Sequence, residues 1–174
     1  LRPQFVVTTG DNFYELGVSD CDDSHWRDSF ENVYTARVLN VPWFPVLGNH
    51  DWGGDPGAQI KYSDRYSRWR MPAHYYDISY RLGQAIYLQL LFLDTTPLIS
   101  DYQAGGLYEN PNILRADVDG QLAWLEEMLQ KSKATYRIVV GHHPIASSSP
   151  FHGDTPDLKS KLMPLLREYD VNLY

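Results

Sequence analysis

Short apolar stretches alternate with amphipathic stretches along the chain, and this alternation predicts an α/β fold. The apolar stretches are rich in β-branched or aromatic residues and are bounded by glycine or proline, which is typical of buried strands. A less regular stretch at 75–82 predicts one more strand, with one face in solvent. The predicted buried strands cover residues 5–8, 43–47, 85–93, 136–140 and, at the C-terminal end, 171–174.

Three amphipathic stretches predict helices, because their large apolar side chains recur at i, i+3 or i+4, and i+7. In the first stretch Trp26, Phe30 and Val33 share one face. Pro164 lies inside the last stretch and predicts a kink, because proline removes a main-chain hydrogen bond. The predicted helices cover residues 24–36, 119–131 and 156–169.

Composition and charge narrow the class of protein. The chain has 174 residues with 43% hydrophobic side chains, which suits one domain over 1–174 with a substantial core. A net charge of −7 argues against a nucleic-acid partner, which would require a basic surface. No apolar run approaches the ~20 residues that span a membrane, so no membrane partner is expected. Cys21 is the only cysteine, so the chain forms no internal disulfide.

Three predicted strands run directly into a glycine that is followed by side chains able to bind metals or transfer protons. In open α/β sheets, ligands bind beyond the carboxyl ends of the strands, so these side chains should converge. Each motif alone has an ordinary explanation as a turn, but their joint occurrence predicts a metal site. The motifs are Gly10-Asp11-Asn12-Phe13-Tyr14, Gly48-Asn49-His50-Asp51 and Gly141-His142-His143-Pro144.

These motifs resemble those of the calcineurin-like metallophosphoesterases, and Tyr14 narrows the resemblance to the purple acid phosphatases. It is closest to the small, animal-type, tartrate-resistant group and covers essentially the whole chain. The resemblance implies a fold of two β-sheets sandwiched between helices. It also implies a phosphate ester substrate, hydrolysed as a monoester through a dinuclear centre of Fe(III) and a divalent iron, zinc or manganese ion.

The resemblance further implies a role for each candidate metal ligand. Asp11 would bridge both metal ions, and a carboxylate suits this role because it has two oxygens and a full negative charge. Tyr14 would bind the ferric ion, for which a phenolate is a hard donor. Asn49 and His142 would bind the divalent ion.

Four further polar residues would act beside the metal ions. His50 would bind the substrate phosphate or protonate the leaving oxygen, and its reference pKa of ~6.5 suits proton transfer. His152 matches, with a one-residue offset in spacing, a second histidine near the phosphate. Asp51 would either orient His50 by a hydrogen bond or cap the following turn, and His143 would support the ligands from behind.

Two other readings of the same residues stay open at this point. A phosphodiesterase or nucleotidase of the same superfamily would use manganese or zinc and usually lacks the tyrosine ligand. A non-catalytic scaffold would keep the fold without the metal ions. We also expect the chain to be an internal fragment, without the family's upstream Gly-Asp and downstream Gly-His-x-His motifs. A secreted, lysosomal, vacuolar or periplasmic location is expected from the resemblance alone.

The long stretch 95–116 contains Gly105-Gly106 and Asn110-Pro111 and predicts a surface loop. It occupies the place of a repressive loop in animal-type relatives, so Asp101, Glu109 and Asp117 could lie near the metal ions. A plain solvated insertion is the alternative interpretation.

Overall fold

Two β-sheets carry the fold in the computed structural model, which describes residues 2–104, 110–150 and 153–174. The first sheet is a parallel pair, β1 and β2. In the second sheet the central strand β4 pairs antiparallel with β3 and parallel with β5. The strands are β1 (Val6–Thr8), β2 (Trp43–Pro45), β3 (Tyr76–Gly83), β4 (Ile86–Phe92) and β5 (Tyr136–Val140). The predicted α/β class is therefore confirmed.

The described residues form five α-helices between and after these strands. At the kink predicted for Pro164 the helix is interrupted at Leu162, because α4 ends at Lys161 and α5 begins at Met163. No helix among the described residues is long and apolar enough to cross a membrane. The α-helices are α1 (Pro56–Arg65), α2 (Ser100–Gln103), α3 (Val118–Lys131), α4 (Pro156–Lys161) and α5 (Met163–Glu168).

The alternating side chains of β4 explain why the core has two parts. Successive strand residues point to opposite faces, and both faces of β4 are covered. Leu90 and Phe92 join an aromatic cluster that also holds the stacked pair Trp26 and Tyr62, whose ring centroids are 3.6 Å apart. Leu91 lies in a second, largely leucine cluster with side chains from α3 and α4.

Three predicted elements differ in the structure. The first helix is a short π-helix, Trp26–Glu31, and Val33 is exposed rather than buried. The first part of the stretch 95–116, residues 95–104, is not an irregular surface loop, because Thr95, Thr96 and Leu98 are fully buried there. Its residues 105–109 lie outside the described part of the chain. Residues 171–174 contribute one parallel bridge, from Leu173 to Ile138, instead of a strand.

Candidate metal centre

The three glycine motifs meet in one cavity of about 820 Å³. Asp11 follows β1, Asn49 and His50 follow β2, and His142 follows β5, so side chains from both sheets converge at the carboxyl ends of parallel strands. Tyr14 lies on the same wall. The convergence expected from the sequence is what the structure shows.

The Asp11 carboxylate lies at the middle of the group and is only 11% exposed. Its Oδ2 accepts a hydrogen bond from the Tyr14 hydroxyl at 3.0 Å. Its Oδ1 accepts one from the main-chain N–H of His50 at 3.0 Å and lies 3.4 Å from Nε2 of His142. The two oxygens of one carboxylate therefore face two different sets of neighbours.

The turn that carries Asp11 requires glycine at residue 10. Gly10 has φ +92°, a conformation that other residues rarely adopt. A β-carbon there would lie 2.7 Å from Nδ1 of His142 and 2.9 Å from the main-chain nitrogen of Gly48. Glycine thus allows the first motif to approach the other two.

His142 is held by a main-chain group that the sequence does not reveal. Its Nδ1 lies 2.8 Å from the carbonyl oxygen of Thr9, which can only accept, so Nδ1 carries the proton of the neutral ring. In this neutral ring Nε2 is a lone pair, 3.2 Å from Oδ1 of Asn49 and 3.4 Å from Oδ1 of Asp11. With neutral His142, three acceptor atoms face one another without a hydrogen between them, an arrangement that fits a bound cation.

The donor set as a whole also fits a metal ion. Carboxylate, amide oxygen, phenol oxygen and imidazole are all established ligand types for iron, zinc or manganese. Among the described residues no group of three or more His, Cys, Asp or Glu side chains could hold a metal ion. This finding is consistent with the candidate donor set, because two of its four residues, Tyr14 and Asn49, are not His, Cys, Asp or Glu.

His50 presents one ring nitrogen to the cavity. Its Nδ1 lies 2.6 Å from the carbonyl oxygen of Glu15, so this nitrogen carries a proton. Its Nε2 lies 3.8 Å from Oδ2 of Asp11, and its ring centroid is 4.5 Å from that of Tyr14. A protonated His50 can donate from Nε2 into the cavity.

Asp51 does not orient His50 and does not cap the following turn, in contrast to both expectations. Its fully buried carboxylate accepts hydrogen bonds from the main chain of Gly48 and Asn12 and from the Gln59 amide, at 2.8 to 3.1 Å. Burial raises the pKa of Asp51 to about 6, although these hydrogen bonds oppose the shift. Asp51 joins the first motif to the second and so fixes Asp11 relative to Asn49.

The Asp51 carboxylate gives a stability prediction, because all of its partners are donors. We expect Asp51→Asn to lower the free energy of unfolding by about 1–3 kcal/mol, since an amide N–H₂ would face other N–H groups. Chemical denaturation of the chain would measure the loss. Asp55→Asn is the matched control, because Asp55 caps α1 through Gly57 N–H and asparagine caps equally well. Equal stability of Asp51→Asn and the wild type would contradict this account.

His143 lines the same cavity beside His142. Its Nδ1 is 2.8 Å from Oγ1 of Thr95, its Nε2 is 3.1 Å from the Tyr102 hydroxyl, and its ring centroid is 4.7 Å from that of His142. Burial, with a smaller contribution from His142, lowers the pKa of His143 to about 3.

The other residues predicted to lie near the metal ions are only partly in the 820 Å³ cavity. Asp101 lines the cavity, whereas Asp117 caps α3 and lines a different cavity of about 440 Å³. His152 and Glu109 lie outside the described residues. The sequence analysis missed Thr9 and Glu15, which act through main-chain carbonyls and therefore leave no side-chain signal.

The sequence matches the family described as calcineurin-like phosphoesterase over residues 1–174. The chain therefore belongs to the calcineurin-like phosphoesterase family, and the fold expected from the resemblance is confirmed.

Within this family the chain is similar to tartrate-resistant and purple acid phosphatases. It is 38% identical over 174 residues to tartrate-resistant acid phosphatase type 5 of Rattus norvegicus, covering 98% of this chain and 53% of the relative. It is 36% identical over 178 residues to the Homo sapiens protein of that name, covering 100% and 54%. Purple acid phosphatase 17 of Arabidopsis thaliana is 39% identical over 177 residues, covering 98% and 50%. The chain thus spans about half the length of these relatives.

A solved structure shares the fold closely. It is described as GAP50, the anchor in the inner membrane complex of Plasmodium. The match has a TM-score of 0.80 and 29% sequence identity, and it covers 99% of this chain and 55% of that one.

Proposed function

We propose that the chain is part of an acid phosphatase that hydrolyses phosphate monoesters through a dinuclear centre of Fe(III) and a divalent iron, zinc or manganese ion. Tyr14 would bind the ferric ion, Asn49 and His142 would bind the divalent ion, and Asp11 would bridge the two. When bound, two metal ions clamp phosphoryl oxygens and supply hydroxide near neutral pH.

The main support for this proposal is that the two oxygens of the Asp11 carboxylate lie next to different candidate ligands. Oδ2 lies beside the Tyr14 hydroxyl, and Oδ1 lies beside Nε2 of His142, which in turn lies beside Asn49. A carboxylate with different potential ligands next to each oxygen suits a bridge between two ions of different kinds. The relatives named acid phosphatases favour the same chemistry.

Beside the bridge, His50 would bind the substrate phosphate or protonate the leaving oxygen. With Nδ1 held by the Glu15 carbonyl, a protonated ring directs its Nε2–H into the cavity. This hydrogen would bond the phosphate or the leaving oxygen. His152 is proposed for a second contact to the phosphate on the strength of the resemblance alone.

Tyr14 provides the test of the iron site. We expect the full-length protein to be purple or pink, through a phenolate-to-iron charge-transfer band, and Tyr14→Phe to remove that band. Visible absorption and metal analysis of both proteins would measure it. Tyr66→Phe is the control, because Tyr66 is exposed and stacks on Tyr62 away from the cavity.

Two other experimental results would support the two alternative functions. A colourless, active, iron-free wild type would favour a manganese or zinc phosphodiesterase or nucleotidase of the same superfamily. The similarity to the Plasmodium anchor favours a scaffold, and this reading predicts that the metal-supplemented full-length protein hydrolyses no phosphate ester.

A further inference from the structure

Asp94 is a buried carboxylate outside the candidate metal cavity. It lies two residues after β4 and is only 2% exposed. Burying a carboxylate is costly unless its oxygens accept hydrogen bonds. Both oxygens accept from Nε1 of Trp52, at 3.1 Å each, and Oδ2 also lies 3.0 Å from Nδ1 of His74. The indole and the imidazole thus compensate for the burial of this charge.

The main chain around Asp94 is fixed to α3 and to the third glycine motif. Oε1 of Gln121 accepts the N–H of Asp94 at 2.9 Å, and Nε2 of Gln121 donates to the Asp94 carbonyl oxygen at 3.0 Å. The N–H of the preceding residue donates to the last carbonyl oxygen of β5 at 2.8 Å. On the other side, Oγ1 of Thr95 accepts the main-chain N–H of His143 at 3.2 Å. Asp94 therefore has a fixed place relative to the segment that carries His142.

The Asp94 carboxylate extends from this place to the second glycine motif. Trp52 lies in a short 3₁₀-helix that begins directly after His50, and a main-chain N–H of this helix donates to the His50 carbonyl oxygen at 3.0 Å. The Trp52 side chain is buried, so its indole is held in the core. The hydrogen bond from Trp52 to Asp94 thus joins the second motif, which follows the first sheet, to the second sheet.

Each pair of glycine motifs then has a contact that joins it. The first motif is joined to the second by the buried Asp51 carboxylate, and to the third by the hydrogen bond from His142 to a main-chain carbonyl. The bond between Trp52 and Asp94 joins the second motif to the third. This last contact matters for the site, because Asn49 and His142 come from different sheets and their Oδ1 and Nε2 atoms lie 3.2 Å apart.

We propose that Asp94, through Trp52, is a positioning residue that sets the place of the second motif relative to His142. This assignment rests on the proposed metal centre, in which Asn49 and His142 bind the divalent ion. The distance between these two ligands determines how well the ion is bound. Residues that orient metal ligands from behind typically contribute about 10-fold to 100-fold in metal affinity.

Asp94→Leu in the full-length protein tests the contact, because it removes both acceptor oxygens and keeps a side chain of similar volume. Asp94→Asn is the matched control, since its amide oxygen can still accept from the indole of Trp52. Titration of the metal-free proteins with Zn²⁺ should give a dissociation constant about 10-fold to 100-fold higher for Asp94→Leu than for the wild type, and an unchanged one for Asp94→Asn. Equal zinc affinity of the two variants would overturn the assignment.

Trp52→Phe removes the donor instead and gives the answer if Asp94→Leu does not fold. Its control is Trp43→Phe, because Trp43 is also buried and donates its indole N–H, to the Leu39 carbonyl oxygen at 3.1 Å, but lies at the start of β2, away from the second motif. Both variants should lower the free energy of unfolding, whereas only Trp52→Phe should weaken zinc binding. Equal zinc affinity of these two variants would show that the contact serves stability alone.

Two further results separate this inference from the proposed function. A wild type that binds zinc but hydrolyses no phosphate ester would overturn the phosphatase function, while the zinc affinities would still decide on Asp94. If the wild type binds no zinc, crystal structures of the metal-free proteins decide instead. The 3.2 Å between Nε2 of His142 and Oδ1 of Asn49 should lengthen by more than about 0.5 Å in Asp94→Leu. An unchanged distance would overturn the positioning role.

Discussion

If the full-length protein has the proposed phosphatase activity, we expect His50→Ala to lower kcat by about 10²–10⁴ for esters with poor leaving groups. The reason is the direction of the ring, because the Glu15 carbonyl holds Nδ1 at 2.6 Å and leaves Nε2 as the group that can donate into the cavity. An alkoxide leaving group requires a proton, whereas an activated aryl oxide requires little help. The loss should therefore shrink as the pKa of the leaving alcohol falls.

A series of alkyl and aryl phosphates would measure this dependence on the leaving group. His25→Ala is the control, because His25 pairs with Asp23 at 2.7 Å, outside the cavity, and should behave as the wild type. If His50→Ala loses the same factor for every ester, His50 does not act as the general acid. Such a uniform loss would still agree with a hydrogen bond from His50 to the phosphate.

The side chains of the candidate site could be predicted from the sequence, whereas the groups that orient them could not. Asp11, Asn49 and His142 each follow a strand and a glycine, and this pattern depends only on local sequence. His142 and His50 are oriented by the carbonyls of Thr9 and Glu15, and every residue has a carbonyl. Main-chain partners of this kind become visible only when the fold brings distant segments together.

Two helical regions show the limits of apolar periodicity. A helix was predicted over 24–36, but the observed π-helix ends at Glu31. The N–H of Asn32 donates back to the carbonyl oxygens of Arg27 and Phe30, and Val33 is exposed to solvent. Only Trp26 and Phe30, the first two residues of the predicted face, are buried.

At α1 the structure has a helix that the sequence analysis did not predict. The buried face of α1 includes the polar Gln59, so an apolar repeat is weak there. The Asp55 cap followed by Pro56 was the available signal, because both residues are favoured at a helix start.

Gly48→Ala should abolish the proposed metal centre while the fold survives. A β-carbon at residue 48 would lie 2.2 Å from Oδ1 of Asp11 and 2.4 Å from its main-chain nitrogen, so the proposed bridging carboxylate would have to move. Overpacking typically costs about 1–3 kcal/mol, and the approach to a main-chain nitrogen places Gly48→Ala at the upper end of that range, which a domain stable by about 5–15 kcal/mol tolerates.

The site is far less tolerant, because a displacement of ~1 Å in a catalytic group costs about 10²-fold or more in rate. We therefore expect Gly48→Ala to lose bound metal and about 10³-fold in kcat/KM, with a cooperative melting transition retained. Gly83→Ala is the matched control, since a β-carbon there would meet only the Cδ1 atom of Ile86, at 3.9 Å. Metal analysis, calorimetry and a p-nitrophenyl phosphate assay of both variants would decide. Full metal content and activity in Gly48→Ala would show that Asp11 does not need the position it has here, and the proposed bridge would have to be abandoned.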